Sequence, residues 1–390
     1  MKKTIFCIYI FFFSFNSVFA QWQYTGVGGS IQSVMAKGDT ILASQDYAGL
    51  KLSIDNGMTW NSTNIGLTTP RVYSILFADS AIFAGTHTGT VFRSTDSCAS
   101  WVEVPNGLTG IDFLSMTSIG SYVFAGEYHY GIFRTTDNGD SWSAANNGLT
   151  NTIVQSMATM GSIVLAGTFA GGVFVSSDSG NSWTPKNTGM GLETVTCLAT
   201  SGSTIYAGTG NGMYKSTDTA NTWTAINNGL TALNIDDITT SGAYIILATW
   251  GGGVFYSIDG GAQWTQWNTG LGGNVILKIA SNSTTVFAGV NGQGLYKRSL
   301  WEITGIENAT SIEYKIYPNP VMDYVIFNCS DPAYKAGTMT IYDPAGSEIE
   351  RHSIRSNNEK IPINLGSGMY YFKITGQDKG FHCAGKILVN

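Results

Sequence analysis

The sequence predicts an all-β protein, a seven-bladed β-propeller followed by a small Ig-like β-sandwich. Three observations predict it. A pattern of about 41 residues recurs through the first three quarters of the chain. Eight tryptophans, Trp22, Trp60, Trp101, Trp142, Trp183, Trp223, Trp264 and Trp301, bound seven intervals. The composition is that of strands and tight turns: 48 glycines, and charged residues at 12% against the ~25% usual for soluble domains.

The repeat is Ser/Thr-x-Asp-x-Gly-x-x-Trp. It stands complete at Ser53–Trp60, Thr135–Trp142, Ser176–Trp183 and Ser257–Trp264; in two further copies Cys98 and Ala220 replace the glycine. The aspartates are Asp55, Asp96, Asp137, Asp178, Asp218 and Asp259, spaced 41, 41, 41, 40 and 41 residues apart. After each Trp comes an Asn-x-Gly-Leu-like turn, as at Asn146–Leu149 and Asn227–Leu230. Three short apolar strands follow, such as Val154–Ala158, Ile163–Gly167 and Gly172–Ser176, the last running into the next aspartate motif. Four short strands in a unit of about 41 residues are the signature of a propeller blade.

The seventh unit has no aspartate motif; Tyr296–Trp301 stands in its place. A propeller must close its ring, and closure removes open edges. Trp22-Gln23-Tyr24 matches the outermost strand of a blade with no inner strands before it, so it is expected to pair with the third strand of blade seven, around Gly294–Lys297.

The first twenty residues read as an export leader. Lys2 and Lys3 precede the apolar run Ile5–Phe13, and Val18-Phe19-Ala20 is a small-residue cleavage site, with the mature chain starting at Gln21. The run is too short to span a bilayer. Loss of the two lysines takes the formal net charge from −6 to −8. With no basic run, nucleic acid is not an expected partner. Cys98 and Cys197 lie in different repeats; whether Cys329 and Cys383 pair is open. No Cys/His cluster suggests a metal, and no cofactor is expected.

The aspartate motif resembles the Asp-box, or BNR repeat, of sialidases, sortilin-type receptors, xyloglucanases and photosystem II assembly factors. Its chemistry is that of a turn between third and fourth strands. The carboxylate accepts backbone N–H groups, Gly supplies φ > 0, and Trp wedges between neighbouring strands or blades. The resemblance places ligands on the opposite face. There the second-to-third loops diverge, and Tyr47, His87, Glu127, Tyr128, His129, Tyr130, Phe169 and Trp250 are the candidate ligand-binding residues. Aromatic platforms with a few polar groups suit sugar rings or peptide side chains.

No catalytic residue is assigned. Sialidases need an arginine triad, and the propeller has only Arg71, Arg93, Arg134 and Arg298. Arg93 and Arg134 hold equivalent places in the repeat. Xyloglucanases of this kind use two propellers. Asp46, Asp112, Glu127, Glu193, Asp236 and Asp237 lie on or near the loop-rich face, and a glycoside hydrolase needs two carboxyls roughly 5–9.5 Å apart. The leading expectation is a non-catalytic exported propeller that binds glycan or protein. The alternatives are a glycoside hydrolase and a structural adhesin.

The repeats end near Trp301, giving the division 1–20 leader, 21–301 propeller, 302–314 linker and 315–390 C-terminal domain. That last domain opens on Pro318-Asn319-Pro320. It continues through Tyr324–Phe327, Thr340–Gly346, Ile361–Leu365 and Gly368–Ile374 to Lys386–Asn390. As an ordered set, these segments resemble the type A sorting domain of the type IX secretion system of Bacteroidetes. The resemblance implies that the chain crosses the inner membrane by its leader. The folded tail then addresses it to the outer-membrane machinery, for release or attachment at the surface.

Overall fold

The computed structural model describes residues 21–304 and, of the remainder, 314–389 apart from 318, 322, 330–335, 344–347, 357 and 377–381. The leader, Pro318 and most of the linker lie outside the described residues.

Seven four-stranded antiparallel sheets make up residues 23–299. Blade 1 runs Ile31–Lys37, Thr40–Gln45, Gly49–Ser53 and Asn61–Ser62, and the next five repeat this order. The first strand of each blade lies against the first strand of the next, and blade 7 returns to blade 1. Second strands such as Ile163–Thr168 are buried throughout, because both of their faces meet neighbouring blades. Fourth strands have only two residues, which leaves a short exposed outer edge.

Blade 7 is closed as the sequence predicts. Gln23 pairs with Lys297 and Tyr24 with Tyr296. Trp22 is buried, packs edge-on against Trp267 at 5.1 Å, and donates its indole N–H to the Trp267 carbonyl at 2.5 Å. This repeats an inter-blade contact. The indoles of Trp101, Trp183, Trp223 and Trp264 donate to Thr63, Ala145, Lys186 and Ile226 of the preceding blade. Their backbone N–H groups donate into the Asn-x-Gly-Leu turn of that blade, as from Trp101 to Ile65 at 2.8 Å. The turn glycine is required there. Gly66 has φ 83°, and a Cβ on it would meet the Trp101 carbonyl oxygen at 2.0 Å.

Each Asp-box closes on itself. Asp55 accepts the N–H groups of Met58 and Thr59 at 3.0 and 2.8 Å and the Thr59 hydroxyl at 2.5 Å. Ser53 donates to Asp55 and accepts from Gly57. These bonds hold the carboxylate in its charged form, and Asp96, Asp137, Asp178 and Asp218 are each lowered to about 2 by the Ser or Thr hydroxyl four residues on. That Ser or Thr, one residue before the Trp, is a part of the motif that the sequence reading passed over. Two successive residues take left-handed backbone, as at Asn56 and Gly57; in the variant boxes Cys98 and Ala220 do so at φ 70° and 62°, with some strain. Arg93, Arg134, Lys215 and Lys297, on third strands, donate to carbonyls of the next blade's box. The two arginines are thus scaffold, as their equivalent places imply.

The propeller continues past residue 301. A 3₁₀ turn, Leu300–Thr304, buries Leu300 and Ile303 against Trp22 and Trp267. Arg298 binds Glu302 at 2.8 Å and lies 4.5 Å over the Trp267 ring. Of residues 302–304, expected as linker, Ile303 is therefore buried in the core of the ring and Glu302 is paired with Arg298.

The C-terminal domain is a sandwich of two sheets. One holds Tyr314–Tyr317, Tyr324–Cys329 and Lys360–Pro362. The other runs in the order Glu348–Ile354, Gly337–Tyr342, Gly368–Gly376, His382–Val389. Val325, Phe327, Met339, Ile341, Phe372 and Ile374 are among its core residues. Cys329 and Cys383 lie on strands of different sheets.

Trp60 is the box tryptophan of blade 1, and its indole N–H has no partner. Trp22→Phe is therefore expected to cost about 2–3 kcal/mol, and Trp60→Phe about half of that, because only the first loses a buried hydrogen bond. Urea unfolding of the two variants checks the order.

Candidate functional site

The strand order puts the Asp-boxes and the first-to-second loops on one face; Asn56 N–H, for example, donates to the Asp39 carbonyl. The second-to-third and fourth-to-first loops share the other face, where Gly49 N–H donates to Pro70. Every first strand carries a bulge as it enters from this second face. A bulge re-aims one side chain. The re-aimed residues are Gln32, Tyr73, Leu114, Gln155, Thr196, Asp236 and Leu277, all half-buried. These residues lie at the loop-rich ends of the innermost strands.

Tyr47, Tyr130, Phe169 and Trp250 are exposed on the loop-rich face, at 69%, 56%, 46% and 52%. His129 is exposed beside half-buried Tyr128, their rings 4.7 Å apart. His87 is partly exposed and bonds Asp112 through Nδ1. The structure adds exposed aliphatic residues from the fourth-to-first loops: Ile111, Leu192 and Leu233. Their signal in the sequence is an apolar residue two or three places before a first strand, where other repeats carry Pro70, Thr152 or Asn274.

Glu127, expected at the rim, is instead fully buried. One carboxylate oxygen accepts the N–H groups of Ile111 and Asp112, at 2.8 and 3.3 Å, and the other accepts those of His129 and Tyr130. Four backbone donors replace its hydration shell. Its role is to shape the loop that carries Tyr128, His129 and Tyr130.

A continuous polar and aromatic cluster spans blades 1 to 3. Arg71 bonds Asp46 at 3.1 Å, with its guanidinium 4.6 Å over the Tyr47 ring and 5.4 Å over Tyr73. Tyr73 meets the His87 ring at 5.6 Å, and His87 meets Asp112. Sequence reading picked Tyr47 and His87 but not Arg71 or Tyr73, since nothing short of the bulge turns Tyr73 toward its neighbours.

The carboxyls of this face have separate partners: Asp46 with Arg71, Asp112 with His87, Glu127 with backbone, and Glu193 with Asn211 at 2.9 Å. Asp236 and Asp237 differ. In the place just after the bulge, third in the strand, most blades carry Ser33, Ser74, Ser115 or Ser156, but blades 6 and 7 carry Asp237 and Lys278. Asp237 accepts the N–H groups of Ile238 and Ile279, and burial still pushes its carboxyl up. One buried oxygen of Asp236 has no partner. Burial pushes Asp236 up to about 6, with the Asp237 charge adding to the rise and Lys278 opposing it.

Residues 315–390 match the family model described as a secretion system C-terminal sorting domain. Residues 119–240 match the DUF6242 beta propeller domain. No curated protein sequence matches the chain. Among solved structures, YCF48 bound to D1 peptide is similar at 18% identity and a TM-score of 0.58, over 72% of this chain and 96% of that one. YCF48 from Cyanidioschyzon merolae is similar at 16% and 0.58, over 73% and 99%. The extracellular domain of the hybrid two component system BT3049 from B. thetaiotaomicron aligns at 13% and 0.62, over 95% of this chain and 58% of that one. At these identities the likeness is one of fold.

Two stability changes follow from the site. In Glu127→Gln an NH₂ group faces backbone donors, and a loss of about 2–3 kcal/mol in urea unfolding is expected. Asp236 has a folded pKa above its unfolded value, so its burial is unfavourable above pH 6 and costs nothing below about pH 4. Asp236→Asn is expected to gain on the order of 1–2 kcal/mol at pH 7, allowing for partial solvent screening, and nothing at pH 3.5. Thermal unfolding at the two pH values reads the difference.

The chain is an Asp-box β-propeller joined to a type IX secretion C-terminal sorting domain, and that tail marks it as a secreted or cell-surface protein handled by the secretion machinery.

Proposed function

We propose that the loop-rich mouth of the propeller binds an extended polypeptide segment of an extracellular partner. The observation that carries this is the collection of exposed apolar side chains on one face: Tyr47, Ile111, Tyr130, Phe169, Leu192, Leu233 and Trp250. Apolar side chains held out on loops over a rigid scaffold are a common form of interaction site. Sugars stack on aromatic rings, but Ile111, Leu192 and Leu233 offer no such platform. A mixture of aromatic and aliphatic side chains suits a peptide. A propeller of the same fold, YCF48, has been solved bound to the D1 peptide, which supports the reading by analogy alone. The route that goes with it is removal of the leader after Ala20 and delivery through the tail.

A second reading, a glycoside hydrolase, is favoured by one observation. Burial raises the Asp236 carboxyl to about 6, the direction in which a general acid is tuned.

Probing the purified full chain with a displayed random-peptide library and with a glycan array separates these readings. Peptide capture that falls at least about tenfold in Trp250→Ala and Tyr128→Ala, with thermal stability kept, is expected. Variants that bind like the parent remove the rim from consideration, and capture on glycans alone replaces the peptide with a sugar. Hydrolysis of an array glycan that stops in Asp236→Asn supports the second reading.

A further inference from the structure

The sorting domain ends on an edge strand. His382–Val389 pairs on one side with Gly368–Gly376, from Thr375↔His382 to Gly368↔Val389. On its outer side, among the described residues, it makes a single parallel bridge, Val321↔Val389. Val321 N–H donates to the Leu388 carbonyl at 2.6 Å, and Leu388 N–H donates to the side-chain oxygen of Asn319 at 2.9 Å. Both outward backbone groups of Leu388 are thus held by the segment that opens the domain. The side chains agree with this. Val321, Ile387 and Val389 are buried in the core, while Leu388 faces out.

The local sequence makes this segment stiff. Asn319 stands between two prolines; Pro320 fixes its own φ and restricts Asn319 to extended backbone. Asn319 therefore presents its amide from a backbone with little freedom to lose. The end of an edge strand has a neighbour on one side only and is the first part of a sheet to fray. An ordered edge accepts a partner strand more readily than a frayed one, because its backbone is already fixed before the encounter.

We propose that Asn319 is a positioning residue for export: its side-chain oxygen holds the Leu388 amide and keeps the last strand ordered on the sheet, so that the upstream part of its outer edge is presented to an extended strand of the secretion machinery. The tripeptide that begins the domain would act through the residues that end it.

The test uses the full chain, wild type and as Asn319→Ala and Asn319→Asp, since a carboxylate oxygen accepts the same N–H. Two quantities are read: amide hydrogen exchange across residues 386–389 in purified protein, and delivery to the surface or medium in a host that carries the secretion system. In Asn319→Ala, exchange at Leu388 is expected to rise roughly three- to tenfold, the amides of Met339 and Ile341 to keep their protection, and export to fall several-fold. Asn319→Asp is expected to restore both. Loosened exchange with normal export overturns the proposal, as does unchanged exchange. If Asp restores exchange but not export, the asparagine is read directly and its positioning role is wrong. If Met339 and Ile341 also lose protection in the Ala variant, Asn319 is a folding element of the whole sandwich and the proposal is again overturned.

Discussion

The propeller depends on one contact repeated around its ring, the seating of a tryptophan of each blade in the outer turn of the blade before it. The indole is buried, its N–H reaches a carbonyl of the preceding blade in most copies, and its own backbone pairs with the Asn-x-Gly-Leu turn. Three features of the repeat follow from it. The turn glycine must be glycine, because the Trp carbonyl occupies the place of its Cβ. The turn asparagine ties that same turn to the third strand of its own blade, as Asn146 does to Ile132 at 2.7 Å. The Asp-box aims the tryptophan by fixing the hairpin that carries it. A seven-membered ring tolerates no open joint, and for that reason Trp22 at one end and Ile303 at the other meet at Trp267.

This contact also divides the molecule by face. On the Asp-box face, the aspartates and hydroxyls of each box are bound within their own turn, and cationic residues such as Arg93 and Lys297 tie the box to the adjoining blade, while Ile54, Met58 and Ile258 are exposed there. The opposite face is built from loops whose backbone is anchored at both ends while their side chains are not used by the ring. The exposed aromatic loop residues Tyr47, Tyr130, Phe169 and Trp250 lie on that face, and so does the cluster around Arg71. Rigid support beneath variable loops is the usual basis of a binding surface.

The few charges of the chain fall into distinct uses. Asp-box carboxylates are held charged by hydroxyl and N–H donors. Glu127 is buried yet fully satisfied and shapes a loop. Asp236 is the exception: a carboxyl with a buried, unpartnered oxygen, set beside the charges of Lys278 and Asp237. A buried polar group without a partner is costly, and such sites are where a fold has given up stability.

The sequence by itself determined the number of blades, the place of closure and the nature of the tail. Each of these is recorded in spacing and order: evenly spaced aspartates, a stray Trp22-Gln23-Tyr24 before the first repeat, and a run of short motifs after the last. It also separated scaffold from surface, since residues that recur serve the ring and residues that differ do not. Tertiary structure alone decided which of the differing residues meet. Glu127 reads as a rim residue because it sits beside Tyr128, yet the approach of the Gly110–Asp112 turn buries it. Tyr73 reads as an ordinary strand residue, yet a bulge turns it between Arg71 and His87. Asn319 and Leu388 are 69 residues apart and share a hydrogen bond that no local pattern announces. Periodicity records contacts that every blade makes in the same way. A contact made once, between segments distant in the chain, leaves no repeat to read and exists only when the ring and the sandwich have closed.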